Sequence, residues 1–347
     1  MSPPGRILVR LPNWLGDVLM SRPLLHGLRR AAPAATVWGV GPQPLLALLE
    51  RDQVLDRGIA WPPAPDLPRP AARVEEEKAL DEIEAWRPEL ALVLPPSFSS
   101  AWFARLTRAP RRVGFRGDAR DLLLTDPIHR PGRGEMHLSD EFLMLGASLG
   151  VAGGALPVLR PTAEAVESAA RRWRADGAPP RPWVVLGPGA VYGPAKRWHL
   201  ERYAELGGRF RDQGFEVLAC GAGSDREAAS SLAQAIGAGA HALAGVTSLD
   251  EQLALCSGAR VTVSNDSGLA HVAAASGAPT VAIFGSTSSA WTAPLGPRVA
   301  VVQHAPVCSP CFQRTCSIGY VCLDRIAVED VWRAAGALVA ASQPEVA

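Results

Sequence analysis

Residues 261–285 constrain the fold more tightly than any other stretch of the chain. A β-branched run, Val261 to Val263, ends in Ser264, Asn265, Asp266, Ser267 and Gly268, and a helix of small residues follows. Pro279 stops that helix, and a second apolar strand, 280–284, runs into Gly285, Ser286 and Thr287. A strand, a helix and a strand joined by such short loops form two parallel strands of one sheet with a right-handed crossover. Polar residues at the carboxyl end of a buried strand, just ahead of a helix N-terminus, stand where open α/β sheets bind ligands. Helix capping by Asp266 or Ser267 is the plainer alternative, but capping needs only one such residue. Asp266 is therefore read as ligand-binding.

A chain of 347 residues exceeds one ordinary core, so two domains are expected, and nearly half the residues are apolar, enough to fill both. A net charge of +1 argues against a nucleic-acid partner. Met1 to Gly5 leads straight into a strand, which predicts no signal peptide, and no apolar run approaches the about 20 residues of a membrane span. A cytoplasmic location is expected, with six cysteines that are free or metal-bound rather than disulfide-linked.

Read in order, strand 7–11 ends in the tight loop Pro12, Asn13, Trp14, Leu15, Gly16, Asp17, and 18–30 reads as one helix. Strand 36–40, a proline-rich loop at 61–70, a charged helix at 74–86 and strand 90–94 follow. Arg105, Arg108, Arg111 and Arg112 then form a cationic edge, suited to an anionic acceptor or a membrane surface, or simply solvated. A second alternating set begins at Trp183, which places a boundary within 155–180 and divides the chain into 1–165 and 166–347. Two successive sets of βα units predict two doubly wound domains, with the last helix, 328–341, free to fold back on the first.

Four places carry chemistry. Asp17 stands in the first turn of a helix after a strand end, where the helix dipole favours a carboxylate and a reacting group could equally project. Strand 183–186 ends in a glycine-rich loop, with Gly187 and Gly189, that leads to Lys196, Arg197 and Trp198, a suitable cradle for a diphosphate. Gly221, Ala222, Gly223, Ser224 and Asp225 follow another strand and could hold a nucleoside or cap the next helix. Cys308, Cys311, Cys316 and Cys322 are spaced C-x2-C-x4-C-x5-C, which suggests a structural zinc or an iron–sulfur cluster, with free thiols or a disulfide as the alternatives. Cys220 and Cys256 read as core residues.

With these residues in view, the chain resembles glycosyltransferase family 9, the ADP-heptose:lipopolysaccharide heptosyltransferases. The likeness rests on Arg10 to Val18, Gly193 to Trp198, Ser264 to His271 and Phe284 to Thr287. The resemblance implies a GT-B fold, with the acceptor, the lipid A–core, on the first domain through residues such as Asn13 and Trp14, and ADP-heptose on the second. It implies inverting transfer in one displacement, with Asp17 as general base and Lys196 stabilising the departing ADP without a metal. Donor contacts are implied at Arg197, Gly189, Gly221, Asp225, Asp266, Ser267, Gly268, His271, Ser286 and Thr287. A lipid-linked acceptor implies peripheral contact with the inner face of the cytoplasmic membrane. The competing readings are a GT-B transferase or epimerase using another nucleotide sugar, and a non-catalytic nucleotide-sugar-binding protein.

Overall fold

A computed structural model describes residues 4–61, 69–174 and 181–341. The proline-rich loop expected at 61–70 and part of the expected boundary region lie largely outside the described residues. The chain divides into two compact units, Met1–Pro157 and Val158–Ala347.

The first unit holds a six-stranded sheet of β1 (Arg6–Arg10), β2 (Thr36–Gly41), β3 (Arg57–Ala60), β4 (Leu90–Val93), β5 (Arg111–Phe115) and β6 (Asp126–Ile128). Its order is β3-β2-β1-β4-β5-β6, and every pair is parallel. The second unit holds β7 (Trp183–Gly187), β8 (Glu216–Ala219), β9 (Ala240–Ala242), β10 (Thr262–Asn265), β11 (Thr280–Phe284) and β12 (Val299–Gln303). Its order is β12-β11-β10-β7-β8-β9, again wholly parallel. Counted from the first strand of each unit, both sheets run 3-2-1-4-5-6, the doubly wound order. The chain is an α/β protein of GT-B type. In each sheet the strand order reverses between the first and fourth strands, β1 and β4 in one and β7 and β10 in the other. A crevice opens there at the carboxyl ends, which is where such sheets hold ligands.

The inner strands are buried on both faces, and β4, β10 and β11 are buried at every position. In the first unit Trp38 stacks on Trp86 with ring centroids 4.1 Å apart. In the second, Val184, Leu186, Val263 and Ile283 of the sheet pack with Tyr203, Leu206 and Phe210 of helix Leu200–Asp212. The closing helix, Val328–Ala340, joins this second core through Val328, Val331 and Ala335, with Trp332 against Phe210.

The helix expected at 18–30 is two, Leu15–Met20 and Arg22–Ala31. Pro23 is the cause: it has no N–H for the carbonyl of Leu19, and its ring crowds that oxygen. The Ser21 hydroxyl donates to the Val18 carbonyl at 2.7 Å and closes the break.

Candidate functional site

The second unit assembles most of the expected donor residues at one strand-end crevice. Asp266 follows β10 directly and is 4% exposed. Its Oδ2 accepts from Lys196 Nζ at 2.5 Å and from the Thr287 hydroxyl at 2.5 Å. Three separate strand-end loops thus meet on one carboxylate oxygen. Helix capping does not explain Asp266 or Ser267. Ser267 is the N-cap of helix Gly268–Ala275 yet makes no side-chain cap, and its hydroxyl lies 3.0 Å from that of Ser264 instead.

The same crevice receives Asp225, which is 6% exposed. One of its oxygens accepts the Ala222 N–H at 3.0 Å. The other, Oδ1, is buried and has no hydrogen-bond partner among the described residues. Gly189 and Gly221 make room for this carboxylate: a β-carbon on Gly189 would lie 2.0 Å from Asp225 Cγ, and one on Gly221 would lie 2.9 Å from Oδ2. A buried carboxylate oxygen that lacks a donor suits a ligand hydroxyl. Ser286 is 2% exposed, and its hydroxyl also lacks a partner among the described residues. His271 is buried on the helix that Gly268 begins. Arg197 turns back, and its Nε and Nη2 donate to the Ala190 carbonyl at 3.2 and 3.1 Å, so it braces the glycine loop.

Asn265 was not singled out among the sequence candidates, yet it holds this site together. Its Oδ1 accepts from the Trp198 N–H at 3.0 Å and the Tyr203 hydroxyl at 3.1 Å. Its Nδ2 donates to the Pro188 carbonyl at 2.8 Å. One fully buried amide therefore ties β10 to the glycine loop and to the segment that carries Lys196. Trp198, 2% exposed, anchors that segment by donating from Nε1 to the Ile326 carbonyl at 3.0 Å.

In the first unit, Asp17 stands in the first turn of helix Leu15–Met20, just past β1, and is partly exposed. Trp14 precedes that helix and is 53% exposed. Asn13 is exposed, and its Oδ1 accepts from Arg10 Nη2 at 3.0 Å. Arg10, which sequence reasoning passed over, is 6% exposed at the end of β1. Burial lowers its guanidinium to about 10, and it shapes the Asp17 loop from beneath by donating to the Leu11 and Val40 carbonyls.

The cationic edge is largely spoken for: Arg111 pairs with Asp126 at 2.9 Å, Arg108 with Glu84 at 2.7 Å, and Arg112 donates to the Leu123 and Ala109 carbonyls at 2.7 and 2.5 Å. Arg105 is exposed. Among the described residues no group of three or more His, Cys, Asp or Glu side chains that could hold a metal ion is found, the four-cysteine run included. Cys311 and Cys316 nonetheless lie near enough to Cys322 to help burial push its thiol up. Cys322 enters helix Val321–Asp324 and the second core, Cys308 faces solvent, and Cys316 accepts the Ile318 and Tyr320 N–H groups at 3.4 and 3.3 Å. Those N–H groups hold the Cys316 thiol below its ordinary range, whereas burial pushes Cys322 up. Cys220 and Cys256 are buried core residues, and burial takes the Cys256 thiol up to about 12.

Residues 80–321 match the family described as glycosyltransferase family 9 (heptosyltransferase). Lipopolysaccharide heptosyltransferase 2 of Salmonella typhimurium is 32% identical over 309 residues, 86% of this chain and 88% of the relative. The protein of that name from Escherichia coli K12 is 32% identical over 310 residues, with the same coverage. The solved structure of E. coli ADP-heptose lps heptosyltransferase II superimposes with a TM-score of 0.80 at 28% identity, covering 98% of this chain and all of that one.

Proposed function

The chain belongs to glycosyltransferase family 9, and on that premise we propose that it moves heptose from ADP-heptose to a heptose hydroxyl of the lipopolysaccharide inner core. The observation that carries this reading is the meeting of Lys196 and Thr287 on Asp266, beside the glycine-walled Asp225. The cluster offers cation and hydroxyl donors for phosphate oxygens and carboxylates for sugar hydroxyls.

The acceptor oxygen attacks the anomeric carbon as the bond to the diphosphate breaks, so configuration inverts. Asp17 takes the proton of the attacking hydroxyl, and positioning by the loop above Arg10 supplies much of the advantage. Lys196 stabilises the negative charge that grows on the departing ADP, and the reading calls for no metal cofactor. Asp225 accepts ribose hydroxyls, and Asp266 accepts hydroxyls of the donor heptose. Asn13 and Trp14 meet the acceptor, which assigns the acceptor to the first unit and the donor to the second. A lipid-linked acceptor brings the enzyme to the inner face of the cytoplasmic membrane as a peripheral protein. Among the described residues no helix is long and apolar enough to cross a membrane.

The test is ADP release from ADP-heptose with a deacylated inner-core acceptor, with and without a chelator. The reading expects acceptor-dependent release that the chelator leaves unchanged. Release that needs no acceptor, or transfer only from another nucleotide sugar, would contradict it.

A further inference from the structure

The loop that carries the four cysteines is built against the proposed diphosphate site. Ala195, the residue before Lys196, donates its N–H to the Arg314 carbonyl at 3.0 Å and accepts the Ser286 N–H at 3.2 Å. Phe312 donates its N–H to the Ser286 carbonyl at 2.8 Å, and the Tyr192 hydroxyl donates to the Phe312 carbonyl at 2.5 Å. Gly193 has φ +151°, and a β-carbon there would lie 2.6 Å from the Arg314 carbonyl oxygen, so this close approach needs glycine. Segments 192–196, 285–287 and 312–314 therefore meet at one junction, more than a hundred residues apart in sequence at the extremes.

Two cations gather on one ring in that junction. Lys196 Nζ lies 4.9 Å from the Tyr192 ring centroid, and Arg314 Cζ lies 5.4 Å from it. Lys196 already has Asp266, whereas Arg314 is exposed and makes no ion pair among the described residues. Both cations thus face the Tyr192 ring, and among the described residues only Lys196 has a carboxylate partner there. The buried Ser286 hydroxyl, whose backbone is tied into the same junction, has no partner among the described residues and can donate to an anion's oxygen.

We infer that Arg314 is a second cation of the donor-diphosphate site, working beside Lys196, and that the cysteine loop is the strap which holds it there. This rests on the proposed donor reading. A guanidinium presents several N–H donors in one plane, so it can grip the oxygens of a diphosphate that a lone ammonium reaches singly. Tyr192, Ala195 and Ser286 hold the strap through hydrogen bonds.

The experiment measures binding of ADP and of adenosine to the purified full chain, to Arg314→Gln and to Arg314→Lys, by titration calorimetry. The inference expects Arg314→Gln to lose about ten-fold in ADP affinity, with adenosine affinity unchanged and only part of the loss recovered in Arg314→Lys. ADP affinity in Arg314→Gln equal to wild type would overturn it. So would an equal loss for ADP and adenosine, because that pattern means Arg314 only braces Tyr192. A wild-type protein that binds no ADP would overturn the donor reading, and this inference with it.

Discussion

Gly189 lacks a side chain because Asp225 occupies the space where one would stand. Alanine there must displace a buried carboxylate, an overpacking cost of roughly 1–3 kcal/mol. Gly189→Ala should therefore lower thermal stability and weaken ADP binding, both readable in one melting series with and without ADP; an unchanged melt in both conditions would contradict the packing. At this scale Asp17 and Asp266 were singled out from the sequence because each is a carboxylate where an apolar strand gives way to a helix, and Lys196 because it follows the glycine-rich loop after β7. Asn265 and Arg314 were not. Asn265 works through contacts to Pro188, Trp198 and Tyr203, which lie more than sixty residues away. Arg314 sits between cysteines whose spacing drew a metal expectation, and its carbonyl and guanidinium act toward Ala195 and Tyr192.

Among the elements, inner strands were readable and outer ones were not. β3, β6, β9 and β12 received no assignment from sequence, and all four are sheet edges. β6 and β9 have three residues each and β6 contains Pro127, so neither shows the apolar run of a strand covered on both faces, whereas β12 carries the apolar run Val299, Ala300, Val301, Val302 and was missed in spite of it. Helix Leu249–Gly258 illustrates how the second unit is fastened. Its Glu251 carboxylate accepts from Arg172 at 2.8 and 3.1 Å, from the Ser168 hydroxyl at 2.6 Å and from the Ser248 N–H at 2.6 Å. Burial alone would raise this carboxyl, but these donors outweigh it and hold it down to about 2. A depressed carboxylate stabilises the fold above its unfolded value of 4.5 and loses that contribution as pH falls toward 2. Glu251→Gln should cost roughly 1.5–3 kcal/mol at pH 7. In urea melts the gap between variant and wild type should narrow steadily below pH 4.5; a gap independent of pH would remove Glu251 from the account. For the proposed membrane contact, helix Phe98–Leu106 offers one candidate surface. Phe98, Trp102 and Leu106, four residues apart, are 49%, 49% and 40% exposed, with Arg105 beside them. Trp102→Ser with Arg105→Glu should reduce co-sedimentation with anionic liposomes several-fold; equal binding would leave the peripheral contact without this surface.

The whole molecule repeats one plan. Each unit winds its sheet in the same order, and the proposed site residues stand at the reversal point of each, Asp17 after β1 in one and Lys196 and Asp266 after β7 and β10 in the other. The alternation of strands and helices made this plan visible in the sequence, because parallel strands must be joined by crossovers and crossovers need helices. The pairing order was not visible, since it is set by which helix faces cover which strands. The proposed function divides the labour on this plan, with the donor on the second unit and the base on the first. Asp17→Asn keeps the shape of the loop and removes the proton acceptor, so it separates the two roles. The decisive measurement is ADP-heptose affinity and single-turnover transfer in Asp17→Asn beside the wild type. The account predicts unchanged affinity and a transfer rate lower by about 10²–10⁴. Undiminished transfer would contradict the assignment of the base to Asp17.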